Sequence, residues 1–371
     1  MQDEAVIGNG TGGALKGRGT AINPPSRYLA RVSEAVDDGW QSTHCDHEDS
    51  GAPARGPATR LFPDRTVTLI TRNQSPDVPF DRSVNPYKGC EHGCVYCFAR
   101  PTHAYLDLSP GLDFETRIFY KTGVRERLTA ELGKRGYRCA VLAMGTNTDP
   151  YQPAERELRI TRTVLEVLRE WRHPVSIVTK GQLILRDLDI LAEMAADGLA
   201  SVAVSVTTLE RSLKTILEPR TADPAARLRM IRALSAAGIP TRAMLAPVIP
   251  FVNDGEIERI AATVAESGAI GMGYILLRLP LEVEELFRDW LAVHFPDRAD
   301  RVMAAIRDAR GGKAYDARWG VRMRGEGPVA DLVARRFELA VRRHGLDTGR
   351  HGPLRTDLFR PPGPRQERLF D

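Results

Sequence analysis

The chain has 371 residues, 42% of them hydrophobic, a net charge of +4 and a mean hydropathy of −0.29. That length can bury one large core with appendages or two domains, and no apolar run reaches the roughly 20 residues of a membrane span, so no membrane association is expected. No signal-like apolar stretch follows the first residues, and five unevenly placed cysteines do not make a secreted disulfide framework, so a soluble, cytoplasmic protein is expected.

Residues 1–62 are rich in Gly, Pro, Ser and charge, as in GNGTGGALKGRGT and HEDSGAPARGPATR, with one short amphipathic segment at 28–40. Such a composition buries little apolar surface, so a mostly flexible N-terminal extension is expected. His44, Cys45 and His47 within it are either a metal clip or scattered residues of an arm. A core follows over 63–280. From residue 81 short apolar runs alternate with amphipathic patterns: strands are expected at 83–87, 139–144, 175–179, 201–206, 241–247 and 273–279, and helices at 124–135, 154–172, 186–197, 224–237 and 254–267. Gly136, Gly198, Gly238 and Gly268 sit just past four of these helices, where a left-handed cap is needed. Strict alternation implies right-handed βαβ units on a parallel sheet, and six strands suggest an α/β fold of partial (β/α)6 barrel type. In such barrels chemistry collects at the C-terminal ends of the strands.

The loop after the first of these strands carries Cys90, Cys94 and Cys97 in GCEHGCVYCF. Thiolates so closely clustered in a cytosolic chain are usually metal or iron–sulfur ligands. Three is one short of a closed site. A structural zinc takes four protein ligands, for which His92 or His103 could be the fourth, whereas a 4Fe-4S cluster on three cysteines leaves one iron open. Polar residues recur at later strand ends: GTNTDPYQPAE (145–155), TKG (179–181), SVTTLE (205–210) and PVIPFVND (247–254). Lys180 offers a point charge to a carboxylate or phosphate, and Thr148 and Ser205 offer hydroxyls.

The cysteine spacing with Tyr96 before the last cysteine resembles the radical S-adenosylmethionine (SAM) signature. The stretches VNPYKGCEHGCVYCFARPTHAYL, GTNTDPYQPAE, IVTKG, VAVSVTTL, LEPRT and APVIPFVND resemble, more closely, an uncharacterised bacterial family related to spore photoproduct lyase. The resemblance implies a partial barrel with a 4Fe-4S cluster on Cys90, Cys94 and Cys97, and SAM bound at the open iron and cleaved to methionine and a 5′-deoxyadenosyl radical. It implies SAM contacts from Tyr96, Thr148, Lys180 and Ser205, an electron donor such as flavodoxin or ferredoxin, and lyase-like chemistry of the kind used in DNA repair. It identifies no catalytic residue in this chain. Two positions depart from the lyase: Thr146 stands where the lyase has a cysteine hydrogen donor, and Phe98 where it has a tyrosine after the third cluster cysteine. Neither yields a hydrogen easily, so repair through that relay is not expected. Cys139, near a strand start, reads as a small buried apolar residue.

Residues 281–352 read as a C-terminal helical segment. Val283, Leu286, Phe287, Trp290, Leu291 and His294 follow helical spacing and are expected to cover the open side of the barrel. Between the helices, 311–328 interleaves Arg and Lys with Tyr315 and Trp319, a pattern that suits single-stranded or flipped nucleic acid or simply a solvated turn. A last helix at 329–343 carries Arg335, Arg336, Arg342 and Arg343, expected as a solubilising face. Residues 353–371 read as a flexible tail, in which Gln366, Leu369 and Phe370 resemble the peptide by which bacterial polymerases and repair proteins dock on the sliding clamp. The reading that results is a radical SAM enzyme acting on an unknown substrate, DNA first, with RNA or protein modification, or a non-enzymatic zinc or Fe–S nucleic-acid-binding protein, as alternatives.

Overall fold

Alternating buried positions in runs such as VSIVT and ASVAVS give strands whose inner face meets the core and whose outer face meets helices. In the computed structural model, which describes residues 15–28, 57–348 and 354–361, these runs form one sheet. The first strands are β1 (Arg60–Asp64), β2 (Ile70–Arg72), β3 (Arg82–Val84) and β4 (Tyr87–Lys88). Helix α1 (Leu112–Thr116) leads into β5 (Arg117–Lys121), then α2 (Val124–Leu132), β6 (Leu142–Met144), α3 (Glu155–Leu158), α4 (Ile160–Glu170) and β7 (Val175–Thr179). Next come α5 (Leu188–Ala196), β8 (Ala200–Ser205), α6 (Arg211–Leu217), α7 (Pro224–Ala236), β9 (Thr241–Val248), α8 (Ile257–Glu266) and β10 (Gly271–Leu276). Helices α9 (Val283–His294), α10 (Ala299–Asp308), α11 (Val321–Arg324) and α12 (Pro328–Arg343) follow.

The large sheet runs β10-β9-β8-β7-β6-β3-β2. The six strands from β3 to β10 are parallel neighbours in chain order, and β2 closes the edge antiparallel to β3. The six expected strands are therefore six staves of a mixed α/β sheet of partial-barrel order. A second sheet, β1-β5-β4, was not anticipated. It arises because Pro86, which has no N–H, ends β3 at Val84 and lets Tyr87 and Lys88 turn to pair with β5.

Other boundaries shifted for local reasons. The expected helix at 154–172 breaks at Arg159, which adopts a left-handed φ of 51°. There the Glu155 carboxylate accepts the backbone N–H groups of Thr161 (3.0 Å) and Arg162 (3.4 Å), satisfying the free donors that begin α4. The expected strand at 139–144 shortens to Leu142–Met144, which leaves Cys139 half-buried on the preceding loop.

The barrel core joins Val175, Ile177, Val202, Val204, Ala243 and Leu245 to the inner faces of α4, α5, α7 and α8. A second apolar cluster packs α9 and α10, through Val283, Phe287, Trp290, Leu291, Val302 and Met303, against Val95 and Tyr96 of the cysteine loop. The C-terminal helices thus cover that loop. Trp290 donates its indole N–H to Ile216 O (2.9 Å) and stacks on Phe287, so it is a packing residue. Arg336, expected on a solubilising face, instead bridges α12 to Glu258 of α8 through two bonds of 2.9 and 2.7 Å.

Two segments expected to be flexible are packed where they are described. Arg18, Thr20 and Ser26 are buried, with Ser26 Oγ donating to Ala104 O (3.1 Å). Near the other end, Phe359 lies against Trp171, Tyr137 and His173, and Arg360 N donates to Trp171 O (3.1 Å). His44, Cys45 and His47, and the tail residues Gln366, Leu369 and Phe370, lie outside the described residues. Among the described residues no helix is long and apolar enough to cross a membrane.

Gly145, just past β6, has φ +82°, and a Cβ there would sit 1.9 Å from Val178 O. Both the backbone conformation and the space require glycine. Gly145→Ala is expected to lower stability by about 2 kcal/mol or more, read as a fall in the urea midpoint at unchanged slope.

Candidate active site

The cysteine loop follows β4 and precedes a short 3-10 helix over Arg100–Leu106. Cys90 and Cys94 are buried and Cys97 is half-buried. The backbone pins the loop on both sides: Cys90 N donates to Phe114 O (2.9 Å) and Val95 N to Leu217 O (3.2 Å). Gln152 clasps it from the β6 side, accepting from Glu91 N (2.9 Å) and donating to Gly89 O (3.2 Å). Arg100, wholly buried, donates to Cys94 O (2.9 Å), Pro110 O and Gly111 O and forms an ion pair with Glu115 at 2.5 Å. Glu115 also accepts from Gly19 N (3.0 Å), and a Cβ on Gly19 would fall 1.6 Å from Gly93 O. The N-terminal segment therefore lies directly on the loop.

Burial raises the Cys90 thiol well above its ordinary value, with Asp149 and Cys94 adding to it, and pushes Cys94 up to about 12. His103 is buried beside Phe114 and Phe119 with Nε2 on Arg117 O (3.0 Å), and burial brings it down to about 4. His92 Nδ1 lies 3.3 Å from Asp149 Oδ2. Each histidine thus has a partner other than the thiols.

Strand ends bring the remaining residues to this loop. Lys180 follows β7, and its backbone N–H donates to Asp149 Oδ2 (2.7 Å), while Thr179 Oγ1 donates to Asp149 Oδ1 (2.7 Å). Thr148 is buried and donates its hydroxyl to Tyr87 O (2.8 Å), holding the stem of the loop. Ser205 ends β8, buried, with its carbonyl accepting from Arg227 (3.0 Å). Tyr96 donates its hydroxyl to Glu218, and Lys180 Nζ stands 4.0 Å from the same carboxylate and 5.9 Å from the centre of the Tyr96 ring. The structure thus brings together Tyr96 and Lys180 directly, and Thr148 and Ser205 at neighbouring strand ends.

Glu218 escaped the sequence reading. It is wholly buried, pairs with Arg227, and accepts from Thr207 Oγ1 (2.7 Å) as well as from Tyr96. Burial alone would raise its pKa, but Arg227, Lys180 and the hydrogen bonds from Tyr96 and Thr207 outweigh it and hold the group at about 2. It lies in the motif LEPRT, between a helix end and a proline turn, where nothing in the sequence distinguishes a buried acid from an exposed one. Asn253 of PVIPFVND is likewise structural: its side chain accepts from Ile249 N (2.6 Å) and donates to Thr207 O (2.8 Å) and Pro247 O (2.9 Å), tying β8 to β9. Thr146 is half-buried just past β6, and Phe98 is 41% exposed beside Cys97.

Removing the charge of Glu218 leaves Arg227 buried without its acid, so Glu218→Gln is expected to cost about 3–5 kcal/mol in urea unfolding of the reduced apoprotein. Because the folded value of about 2 lies below the ordinary 4.5, this stabilisation is complete above pH 4.5 and is lost as the pH falls towards 2. The variant should therefore show a shallower loss of stability across that acid range.

Known proteins resemble this arrangement in both sequence and fold. Residues 84–264 match the family model of the Radical SAM superfamily. An uncharacterised protein of Mycobacterium tuberculosis (strain ATCC 25618 / H37Rv) is 42% identical over 226 residues, 60% of this chain and 66% of that protein, so the match spans about two thirds of such relatives. An uncharacterised protein of Methanocaldococcus jannaschii is 26% identical over 58% of this chain and 76% of its own length. Among solved structures, spore photoproduct lyase complexed with dinucleoside spore photoproduct superposes with a TM-score of 0.51 at 14% identity, over 76% of this chain and 77% of that one. A lyase variant with bound AdoMet and the same dinucleoside gives 0.51 at 15% identity over the same shares. The parallel sheet and the loop of three cysteines at its mouth accompany a match over 84–264 to the Radical SAM superfamily, whose enzymes use a 4Fe-4S cluster and SAM.

Proposed function

We propose that this chain cleaves SAM reductively at a 4Fe-4S cluster held by Cys90, Cys94 and Cys97 and acts on a nucleic acid. The observation that carries the reading is the set of three buried or half-buried thiols on one loop at the C-terminal mouth of the parallel sheet. The donor set fits the group. Buried thiols whose pKa burial raises need a strong local positive charge to become thiolates, and iron supplies it. Among the described residues no three His, Cys, Asp or Glu side chains are grouped for one metal ion, whereas a four-iron cluster takes each thiolate on a different iron. Zinc is the poorer fit. Four free thiols among the described residues suit a reducing cytoplasm.

When bound, the cluster supplies the electron that splits SAM into methionine and a 5′-deoxyadenosyl radical, the electron itself coming from a donor such as flavodoxin or ferredoxin. The protein's part is to orient and to exclude water. Lys180, already beside Glu218, has donors left for the SAM carboxylate, and Ser205 at the next strand end adds a hydroxyl. Thr148, whose proton goes to Tyr87 O, has lone pairs left for the SAM ammonium. Tyr96, fixed by Glu218, presents its ring beside Lys180. The α9–α10 cover keeps solvent from this side of the loop.

The nucleic-acid substrate is supported by the solved lyase structures with dinucleoside spore photoproduct. It is supported also by residues 311–328, where Trp319 is 61% exposed among arginines, and by the clamp-like Gln366, Leu369 and Phe370. Thr146 and Phe98 argue against the hydrogen relay of the lyase itself. On this reading Cys94→Ala, reconstituted anaerobically with dithionite and SAM, lacks both the cluster absorbance and 5′-deoxyadenosine. Cys139→Ala, altered on the far loop, keeps both. Full SAM cleavage by the Cys94 variant would end the proposal.

A further inference from the structure

Several arginines around the cysteine loop and β10 are matched with acids: buried Arg100 with Glu115 and buried Arg227 with Glu218, half-buried Arg322 with Asp77. Two on the β10 side are not, half-buried Arg278 and buried Arg310. Arg278, two residues past β10, lays its guanidinium 4.0 Å from the centre of the Phe98 ring and has no carboxylate within ion-pair distance among the described residues. Arg310, on the turn after α10, is buried and donates to Val321 O (2.7 Å), Leu276 O (3.1 Å) and Leu277 O (2.9 Å), while its Nε is buried without a partner. It too has no carboxylate within that distance among the described residues. The two cations sense each other. Burial and then Arg278 bring Arg310 down to about 10. Arg278 is lowered by burial and by Arg322, with Tyr315, Cys97 and Asp77 opposing. A buried guanidinium in the field of a second cation costs free energy until an anion joins them.

We propose that Arg278 binds a phosphate group of the substrate beside the third cluster cysteine, with Phe98 holding the guanidinium flat and Arg310 adding to the local positive potential. This rests on the radical SAM reading for the identity of the neighbouring chemistry. Arginine rather than lysine suits the task, because its planar fork meets two phosphate oxygens at once and its face stacks on an aromatic ring. Arg278 stands at the end of β10 against Phe98, the residue directly after Cys97, so a phosphate held on the guanidinium stays within reach of the cluster loop. The phosphate belongs either to a phosphodiester strand or to a nucleoside monophosphate.

The test uses the full chain, reconstituted anaerobically with cluster and SAM, and two probes: a short fluorescein-labelled single-stranded DNA and adenosine monophosphate. Arg278→Gln is expected to weaken binding of the recognised probe about tenfold or more, with Arg278→Lys between it and the parent protein. For the DNA, the slope of log affinity against log salt should fall by about one. Binding of DNA alone assigns a phosphodiester, and binding of the nucleotide alone assigns a monophosphate. Parent protein that binds neither probe, Arg278→Gln that binds as well as the parent, or a variant that loses SAM affinity while keeping the probe would each overturn the proposal. Phosphate binding through Arg278 by a protein that makes no 5′-deoxyadenosine would instead refute the radical SAM reading and leave this site standing.

Discussion

One buried carboxylate holds the mouth of the barrel together. Glu218 accepts from Tyr96 of the cysteine loop and from Thr207 beyond β8, pairs with Arg227 of α7, and lies 4.0 Å from Lys180 beyond β7. Four separate segments therefore converge on two oxygens. Taking a carboxylate wholly out of water costs several kcal/mol, so it persists only where every lone pair is used. Arg227 extends the same network through Ser205 O, Ala222 O and Thr221 Oγ1. Loop position, strand-end position and the LEPRT turn are thus coupled: none can move without exposing or orphaning a charge.

A second buried acid does the same on the other side. Glu115 pairs with Arg100, which grips Cys94 O and the turn at Pro110, and it accepts Gly19 N from the N-terminal segment. Arg18 reaches the carbonyl of Glu115 from the same segment. The cysteine loop is therefore clamped between Glu115 and Glu218, each with a buried arginine. That is what preorganised ligation needs, since three thiolates must be presented at fixed separation for an iron to remain open.

The six parallel strands were legible because their alternation is dictated by burial on both faces, and β7, with VSIVT in register against β8, matched its expected bounds at both ends. The cysteine loop was legible because its spacing is chemically unusual. Glu218, Arg100 and Glu115 were not, because a charged residue in a helix end or loop reads as surface until the fold supplies its partner from far along the chain; Arg227 is nine residues from Glu218, but Tyr96 is 122 away. The same limit hid the seating of residues 15–28: residue 19 fits only as glycine, because a Cβ there would fall 1.6 Å from the carbonyl oxygen of Gly93, distant in sequence. Composition says that a segment cannot form its own core, but it does not say whether another core will receive it. Helix 154–172 failed at Arg159 for a related reason, since periodicity cannot see that Glu155 will cap the next helix.

The mouth is electrostatically uneven, and that unevenness has a functional sense. On the β7–β8 side the buried Arg227 has its acid, so this side is complete in the protein alone and suits the amino-acid end of SAM, whose ammonium and carboxylate bring one charge of each sign. On the β10 side Arg278 and Arg310 have no ion-pair partner among the described residues, with Asp77 and Asp316 acting only at longer range and Phe98 as a neutral flat neighbour. A cation–π contact of this kind offsets only about 0.5–2 kcal/mol, less than the desolvation of a guanidinium. A fold that matches Arg100, Arg227 and Arg322 with acids and leaves these two without an ion pair has room there for an anion, and the C-terminal ends of the strands are where a barrel of this order receives what it acts on.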